Sequence, residues 1–270
     1  MARILAVANQ KGGVGKTTTV HALGAALAQL GQRVLLVDLD PQACLTYSVG
    51  LDPDALVRSL HDVFVRRVAI TEVVKPVDAN LDIVPATIDL AGSEVLLLTR
   101  TGREHVLARA LESLRDSYGT VLVDCPPSLG VLTINGLTAA ESVLVPLQCE
   151  ALSHRGVGQL LETIEDVRTF ANPDLQVRGI LPTMFDGRTR HGREILAGVG
   201  ARYGLPVLEP AVRKSVRFAE APAKGRSILD YAPDSPGAEA YRALARALEA
   251  DVPAGAREAA WASPALESPA

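Results

Sequence analysis

The stretch Asn9-Gln10-Lys11-Gly12-Gly13-Val14-Gly15-Lys16-Thr17-Thr18 constrains this chain more than any other. Gly12, Gly13 and Gly15 free the backbone to take positive φ and to lie close against a ligand. Ahead of them, Arg3-Ile4-Leu5-Ala6-Val7-Ala8 is short and nearly all apolar, as a strand buried on both faces should be. Behind them, Val20, Leu23, Leu27 and Leu30 recur at helical spacing until Gly31 stops the run. Strand, glycine turn and helix in that order distinguish a phosphate-binding loop from a chance run of glycines.

The chemistry follows from the residue types. Successive N–H groups of Gly12, Gly13, Val14 and Gly15 form an anion nest, and the positive end of the following helix adds to it. Lys16 supplies a point charge to β- and γ-phosphates, the Thr17 hydroxyl is placed to ligate Mg²⁺, and Thr18 completes the binding set.

The common spacing GxxxxGK[ST] wants glycine where this chain has Gln10, and the chain adds a second lysine, Lys11. KGGVGKTT is the "deviant" form of the loop, and through it the chain resembles the ParA/MinD group of ATPases. The resemblance implies ATP and Mg²⁺ as cofactors. It also implies that Lys11 reaches across a homodimer to the phosphates of the partner subunit's nucleotide.

Two further motifs fit this picture. Arg33-Val34-Leu35-Leu36-Val37-Asp38 reads as a second buried strand, and Pro41 stops pairing just after it, so Asp38 and Asp40 lie at its C-terminal end. Ligands of open parallel sheets bind at that end. Asp38-Leu39-Asp40-Pro41-Gln42 matches the group's first switch, which implies that Asp40 orients the attacking water and leaves Asp38 as an accessory. Tyr118 to Asp124 is an apolar strand ending in one carboxylate, the Walker B pattern, with Asp124 holding Mg²⁺ or its water. Asp124-Cys125-Pro126-Pro127-Ser128 resembles the second switch, and Cys125 reads as packing.

The remaining pattern alternates strand and helix. Leu81–Ala86, Ser142–Leu147 and Gln176–Leu181 read as strands, and Ser59–Phe64, 103–117, 153–171 and a final segment through Ala240, Leu244 and Leu248 as helices. The expected class is α/β: a doubly wound, mostly parallel sheet flanked by helices, of the P-loop NTPase kind. Residues 1–250 are expected to form one ATPase domain, with 251–270 a disordered Ala/Pro-rich tail.

Composition bounds the setting. Three cysteines form no CxxC pair, which favours a reducing cytoplasm. A first strand starting at Arg3 leaves no room for a signal peptide, and no apolar run is long enough to span a membrane. Net charge is −4, so any nucleic-acid surface must be local.

The candidate for such a surface is the segment between 185 and 226, whose alternative is a solvated face of ion pairs. Arg188, Arg190, Arg193, Arg202, Arg213, Lys214, Arg217, Lys224 and Arg226 face only Asp186, Glu194, Glu209 and Glu220, a surplus of five positive charges. Arg188, Arg190, Arg213, Lys214, Arg217, Lys224 and Arg226 are the candidates for phosphate contacts without base reading. Ser215–Pro222 resembles the segment that binds DNA non-specifically in ParA-type proteins. Where that group carries Pro-Arg-Asn-Val, this chain has Arg213-Lys214-Ser215-Val216, which removes a proline usually near the adenine base.

The whole pattern resembles that of a ParA/Soj-type chromosome- or plasmid-partitioning ATPase. Its ATP-bound sandwich dimer would bind double-stranded DNA on the nucleoid and leave when a ParB/Spo0J-type partner stimulates hydrolysis. A ParA-like protein that spaces protein cargo keeps the same chemistry. A MinD-like membrane ATPase needs a basic amphipathic tail, but Arg257 is the only basic residue after Asp251, and Pro264 and Pro269 interrupt the end. A nitrogenase-type iron protein needs paired cysteines for a cluster, a pattern that Cys125 and Cys149 do not follow. A ligase of the dethiobiotin synthetase kind needs an organic-substrate motif that the sequence does not show. The five dispersed histidines have no metal-site spacing.

Overall fold

The computed structural model describes residues 1–149, 153–186 and 189–250. Seven strands form one sheet: β1 (Arg3–Val7), β2 (Val34–Asp38), β3 (Lys75–Asp78), β4 (Leu81–Val84), β5 (Thr120–Asp124), β6 (Ser142–Gln148) and β7 (Gln176–Thr183). Their spatial order is β3-β4-β2-β5-β1-β6-β7. All neighbours are parallel except β3, which pairs antiparallel with β4. Every residue of β2 and β5 is buried, which is why both read as unbroken apolar runs.

Helices cover both faces. On one lie α1 (Lys16–Gln29) and α2 (Cys44–Ser48), joined late in the chain by α9 (Ile228–Tyr231) and α10 (Pro236–Ala250). The other carries α3 (Leu90–Leu98), α4 (Val106–Leu111), α5 (Val131–Ala139), α6 (Ser153–Phe170) and α7 (Arg190–Tyr203). A single turn, α8 (Arg217–Glu220), bridges towards α9. No helix among the described residues is long and apolar enough to cross a membrane.

Where the structure departs from the sequence pattern, the causes are local. Residues 103–117 do not form one helix: 3₁₀ turns at Arg103–His105 and Glu112–Leu114 flank a short α4. The Asn135 side chain explains the first of these breaks, for its Oδ1 accepts from Leu107 N and its Nδ2 donates to Arg103 O. Instead of a regular helix at Ser59–Phe64, a π-helical turn covers Asp62–Arg66. The sequence hides β3 altogether, because Pro76 and two charged residues mark an edge rather than a core strand. The 251–270 tail and Arg188 lie outside the described residues.

β7 extends the sheet towards the basic segment. Gly179 has φ +143°, and a Cβ there would lie 2.6 Å from Pro206 O, so the strand can host a second chain alongside. That chain is 206–213: Ile180 N donates to Pro206 O, Leu208 N to Ile180 O, and Phe185 N to Val212 O. The contacts bring Arg213 to the sheet's C-terminal edge beside Phe185.

Candidate nucleotide site

The C-terminal ends of β1, β2 and β5 meet at one edge, where Asp38 of β2 stands in register with Asp124 of β5, and Val7 of β1 with the same Asp124. β1 passes into the glycine loop at this point. Gly13 and Gly15 have φ +73° and +87°, and Gly15 caps α1 in the left-handed conformation. Side chains would strain both positions, and a turn of this kind can present successive N–H groups to an anion.

Side chains from distant segments hold the loop in place. Asn9 Nδ2 donates to Pro146 O at 2.7 Å while its Oδ1 accepts from Lys11 N at 3.0 Å, which pins the Lys11 bend to β6. Thr183 Oγ1 at the end of β7 donates to Val14 O at 2.7 Å. Gly156 of α6 lets the helix come against the bend; a Cβ there would sit 3.3 Å from Asn9 Oδ1.

Lys16 is only 7% exposed, and its Nζ donates to Lys11 O at 3.3 Å. Burial pushes its ammonium pKa down, while Asp124 foremost among neighbouring groups pulls it back up. Asp124 is 1% exposed, and neither carboxylate oxygen has a well-formed hydrogen bond among the described residues. Burial drives its pKa well above the usual carboxylate range, and the Asp38 charge adds to the rise; the nearby Thr17 hydroxyl and Lys16 act against it.

Asp38 is fully buried but well served. Its Oδ2 accepts from Thr46 N at 2.8 Å and Thr46 Oγ1 at 2.7 Å, and its Oδ1 from Asp40 N at 3.2 Å. Thr46 Oγ1 in turn accepts from Ala86 N at 2.9 Å. Burial still raises the Asp38 pKa to about 6, against those bonds. Asp40 is partly exposed, lines the cleft and accepts from Gln42 N at 3.0 Å.

The cleft encloses about 760 Å³. Gly12, Gly13, Gly15, Lys16, Thr17 and Thr18 line it together with Asp40. Val14 is fully buried and does not line the cleft. An apolar lining, absent from the sequence expectation, comes from Met184, Phe218, Pro222 and Ile228. Pro222, the last residue of the Ser215–Pro222 segment, is part of this lining, whereas Arg213 is not. Arg226 also lines the cleft and donates to Asp230 O at 2.8 Å, which places it beside the nucleotide space as well as on the surface.

Thr17 and Asp124 fit a hydrated divalent cation. Among the described residues no three His, Cys, Asp or Glu side chains form a metal cage. Mg²⁺ does not need one, because it keeps several waters and takes one or two protein ligands plus substrate phosphates. A sealed carboxylate with no well-formed hydrogen bond, next to the Thr17 hydroxyl, is the counterpart such an ion requires.

Comparison with known proteins agrees with the geometry. A family described as an AAA domain matches residues 2–177. Soj of Bacillus subtilis, a sporulation initiation inhibitor protein, is 44% identical over 252 residues, covering 93% of this chain and all of Soj. The chain belongs to the Soj/ParA family. The chromosome partitioning protein ParA of Myxococcus xanthus is 43% identical over 247 residues, 91% of this chain and 87% of that one. Among solved structures, the cobyrinic acid a,c-diamide synthase of Mycobacterium smegmatis, with bound ADP and magnesium, superposes with TM-score 0.83 at 53% identity. The match covers 92% of this chain and 94% of that one.

Within this Soj/ParA chain the structure brings Lys11 through Thr18, Asp38, Asp40 and Asp124 to one edge. Arg213, Lys214, Arg217, Lys224 and Arg226 are exposed, and Arg190 opens α7. Cys125 is buried against α5, where a Cβ on Gly136 would lie 2.8 Å from its sulfur, and burial pushes its thiol pKa up. No local pattern marks the supporting roles of Asn9, Thr46 and Thr183, since each depends on a hydrogen bond to a residue far along the chain: Pro146, Ala86 and Val14 in turn.

Proposed function

We propose that this protein is a Mg²⁺-dependent ATPase of the Soj/ParA kind, in which ATP closes two copies into a dimer that holds DNA without reading its sequence. The carrying observation is the buried Lys16, set between the carbonyl of Lys11 and Asp124 on the cleft that Asp40 also lines. Gly12 to Gly15 cradle the phosphates through backbone N–H groups, and Lys16 neutralises the β–γ bridge. The Thr17 hydroxyl and, through water, Asp124 would hold Mg²⁺, which supplies charge neutralisation to the same oxygens. Asp40 orients the attacking water, held in place by Asp38 through its own N–H. Lys11 of each subunit completes the other's site, so the γ-phosphate joins the two copies. The apolar lining at Met184, Phe218 and Pro222 suits the flat face of a base.

Residues 1–250 act as one ATPase domain. Arg213, Lys214, Arg217 and Lys224 supply the phosphate contacts, with Arg188 and Arg190 as further candidates. DNA on the nucleoid is the track, and a ParB/Spo0J-type partner stimulates hydrolysis and release. DNA affinity measured with ATP, with ADP and without nucleotide, each at two salt concentrations, tests this reading. ATP-dependent, salt-sensitive binding is expected. Binding indifferent to nucleotide would overturn it. Asp40→Ala should keep ATP binding and the dimer, block turnover and trap the protein on DNA.

The Mycobacterium smegmatis likeness raises a second reading, amide synthesis. Releasing nitrogen from glutamine calls for a reactive thiolate. Here burial raises the thiol pKa of Cys44 and Cys125, and that of Cys149 to about 11, so none is poised for attack. ATP cleavage in the absence of any carboxylate acceptor or nitrogen donor separates the two readings, because only the partitioning reading expects it.

A further inference from the structure

The loop that follows Asp40 and the basic segment are far apart in sequence, yet they meet backbone to backbone. Past Asp40 the chain runs through Ala43, which takes a positive φ of 52° despite its side chain, into α2. Thr46 of α2 is clamped to Asp38 by two hydrogen bonds, and Ser48 at its end shares a bond of 3.2 Å with the buried His21 Nδ1. Two residues later comes Gly50, at φ +90°. On the other side, the turn Pro222–Lys224 ends at Gly225, at φ +61°, between the exposed Lys224 and Arg226. A Cβ on Gly225 would lie 2.7 Å from Gly50 Cα and 3.2 Å from Gly50 N. Side chains at a packed contact can change rotamer; two glycine backbones have no such slack, so a shift of one displaces the other.

We propose that the Gly50–Gly225 contact is the link by which the nucleotide governs the basic segment's hold on DNA. One end of the link answers to the cleft, because α2 hangs from Asp38 and begins directly behind Asp40. The other end carries charge, since Lys224 and Arg226 flank Gly225, and Arg217 opens α8 eight residues before it. Ala221 and Pro222 line the cleft just ahead of the contact, so the same turn faces nucleotide on one side and Gly50 on the other. Phe218 anchors the segment by packing edge-on against Tyr241 of α10, with ring centroids 6.1 Å apart. The DNA half of this proposal rests on the function proposed above; the mechanical half does not.

Gly204 provides an internal control. It has nearly the same φ as Gly225, +62°, but a Cβ there would meet nothing within 4 Å. Gly204→Ala therefore introduces the backbone strain alone, and Gly225→Ala the strain plus the collision. Both variants and the parent are titrated with a fluorescent random-sequence duplex, once with a non-hydrolysable ATP analogue and once with ADP. Coupling between two sites is typically about 5- to 150-fold in affinity. We expect a ratio in that range for the parent and Gly204→Ala, and a ratio within about twofold for Gly225→Ala. A parent-like ratio in Gly225→Ala would overturn the proposal.

Amide hydrogen exchange of residues 213–226, with and without the ATP analogue, reads the link without DNA. Nucleotide-dependent protection should be present in the parent and lost in Gly225→Ala. No change in the parent would refute the link outright. A parent that shows the protection but never binds DNA keeps the link and removes the DNA reading. Should Gly225→Ala fail to fold, Gly225→Asn takes its place against Gly204→Asn, because asparagine tolerates this φ while still carrying a Cβ.

Discussion

Replacing Asp38 by Asn in the nucleotide-free protein tests how the buried carboxylates are held. Burial raises the Asp38 pKa from 3.8 to about 6, in spite of three donated hydrogen bonds. The folded state therefore binds a proton more tightly than the unfolded chain does. Stability from this group is intact below about pH 4 and falls as pH rises towards 6, where the folded protein must ionise it. About two pH units at ~1.4 kcal/mol each make the loss roughly 3 kcal/mol. Asn cannot ionise, so its stability lacks this slope. It does present an amide donor to one of the N–H groups that Asp38 accepts from, a fixed penalty of about 1–3 kcal/mol at every pH. The informative quantity is the difference between variant and parent as pH changes, because the fixed penalty cancels. Urea unfolding at pH 4, 5, 6 and 7 should show that difference moving by about 3 kcal/mol in favour of Asn, or roughly 6–12 °C in Tm for a domain of this size. Asp124 lies in register beside Asp38 and is pushed up partly by its charge, so relief there can only enlarge the movement. A difference that stays flat across this range, or moves towards the parent, would refute the reasoning.

Lys16→Ala should abolish ATP binding, measured calorimetrically with Mg²⁺, and leave the fold intact by circular dichroism. Thr46→Val keeps the shape of α2 but strips a donor from the buried Asp38 and an acceptor from Ala86 N. It should cost about 2–5 kcal/mol in denaturant unfolding and slow turnover, since Asp38 also fixes the Asp40 backbone.

The sequence exposes much of this architecture because the central strands are buried on both faces, and such strands need unbroken apolar runs. Val34–Asp38 and Thr120–Asp124 carry them, and the carboxylates closing both runs fall at the sheet edge where a ligand can reach them. The glycine loop is legible for a related reason: few residue types can adopt its backbone. Legibility fails where one side chain overrides a local pattern, as Asn135 does in breaking 103–117. It fails again at β3, where Pro76 suppresses the strand signal on an edge that tolerates it. The supports of the site are hidden for a third reason. Asn9, Thr46 and Thr183 make bonds to residues 137, 40 and 169 positions away, and no short window of sequence contains both partners. The Gly50–Gly225 contact belongs to the same class.

The proposed function depends on Lys11 acting on a second copy while Lys16 serves its own. The most direct test is the mass in solution at saturating Mg²⁺ and non-hydrolysable ATP analogue, for the parent and for Lys11→Ala. We expect the parent at twice its 28.5 kDa chain mass, and Lys11→Ala at the mass of one chain with nucleotide still bound. A parent that stays at the mass of one chain, or a Lys11→Ala protein that doubles as readily, would contradict it.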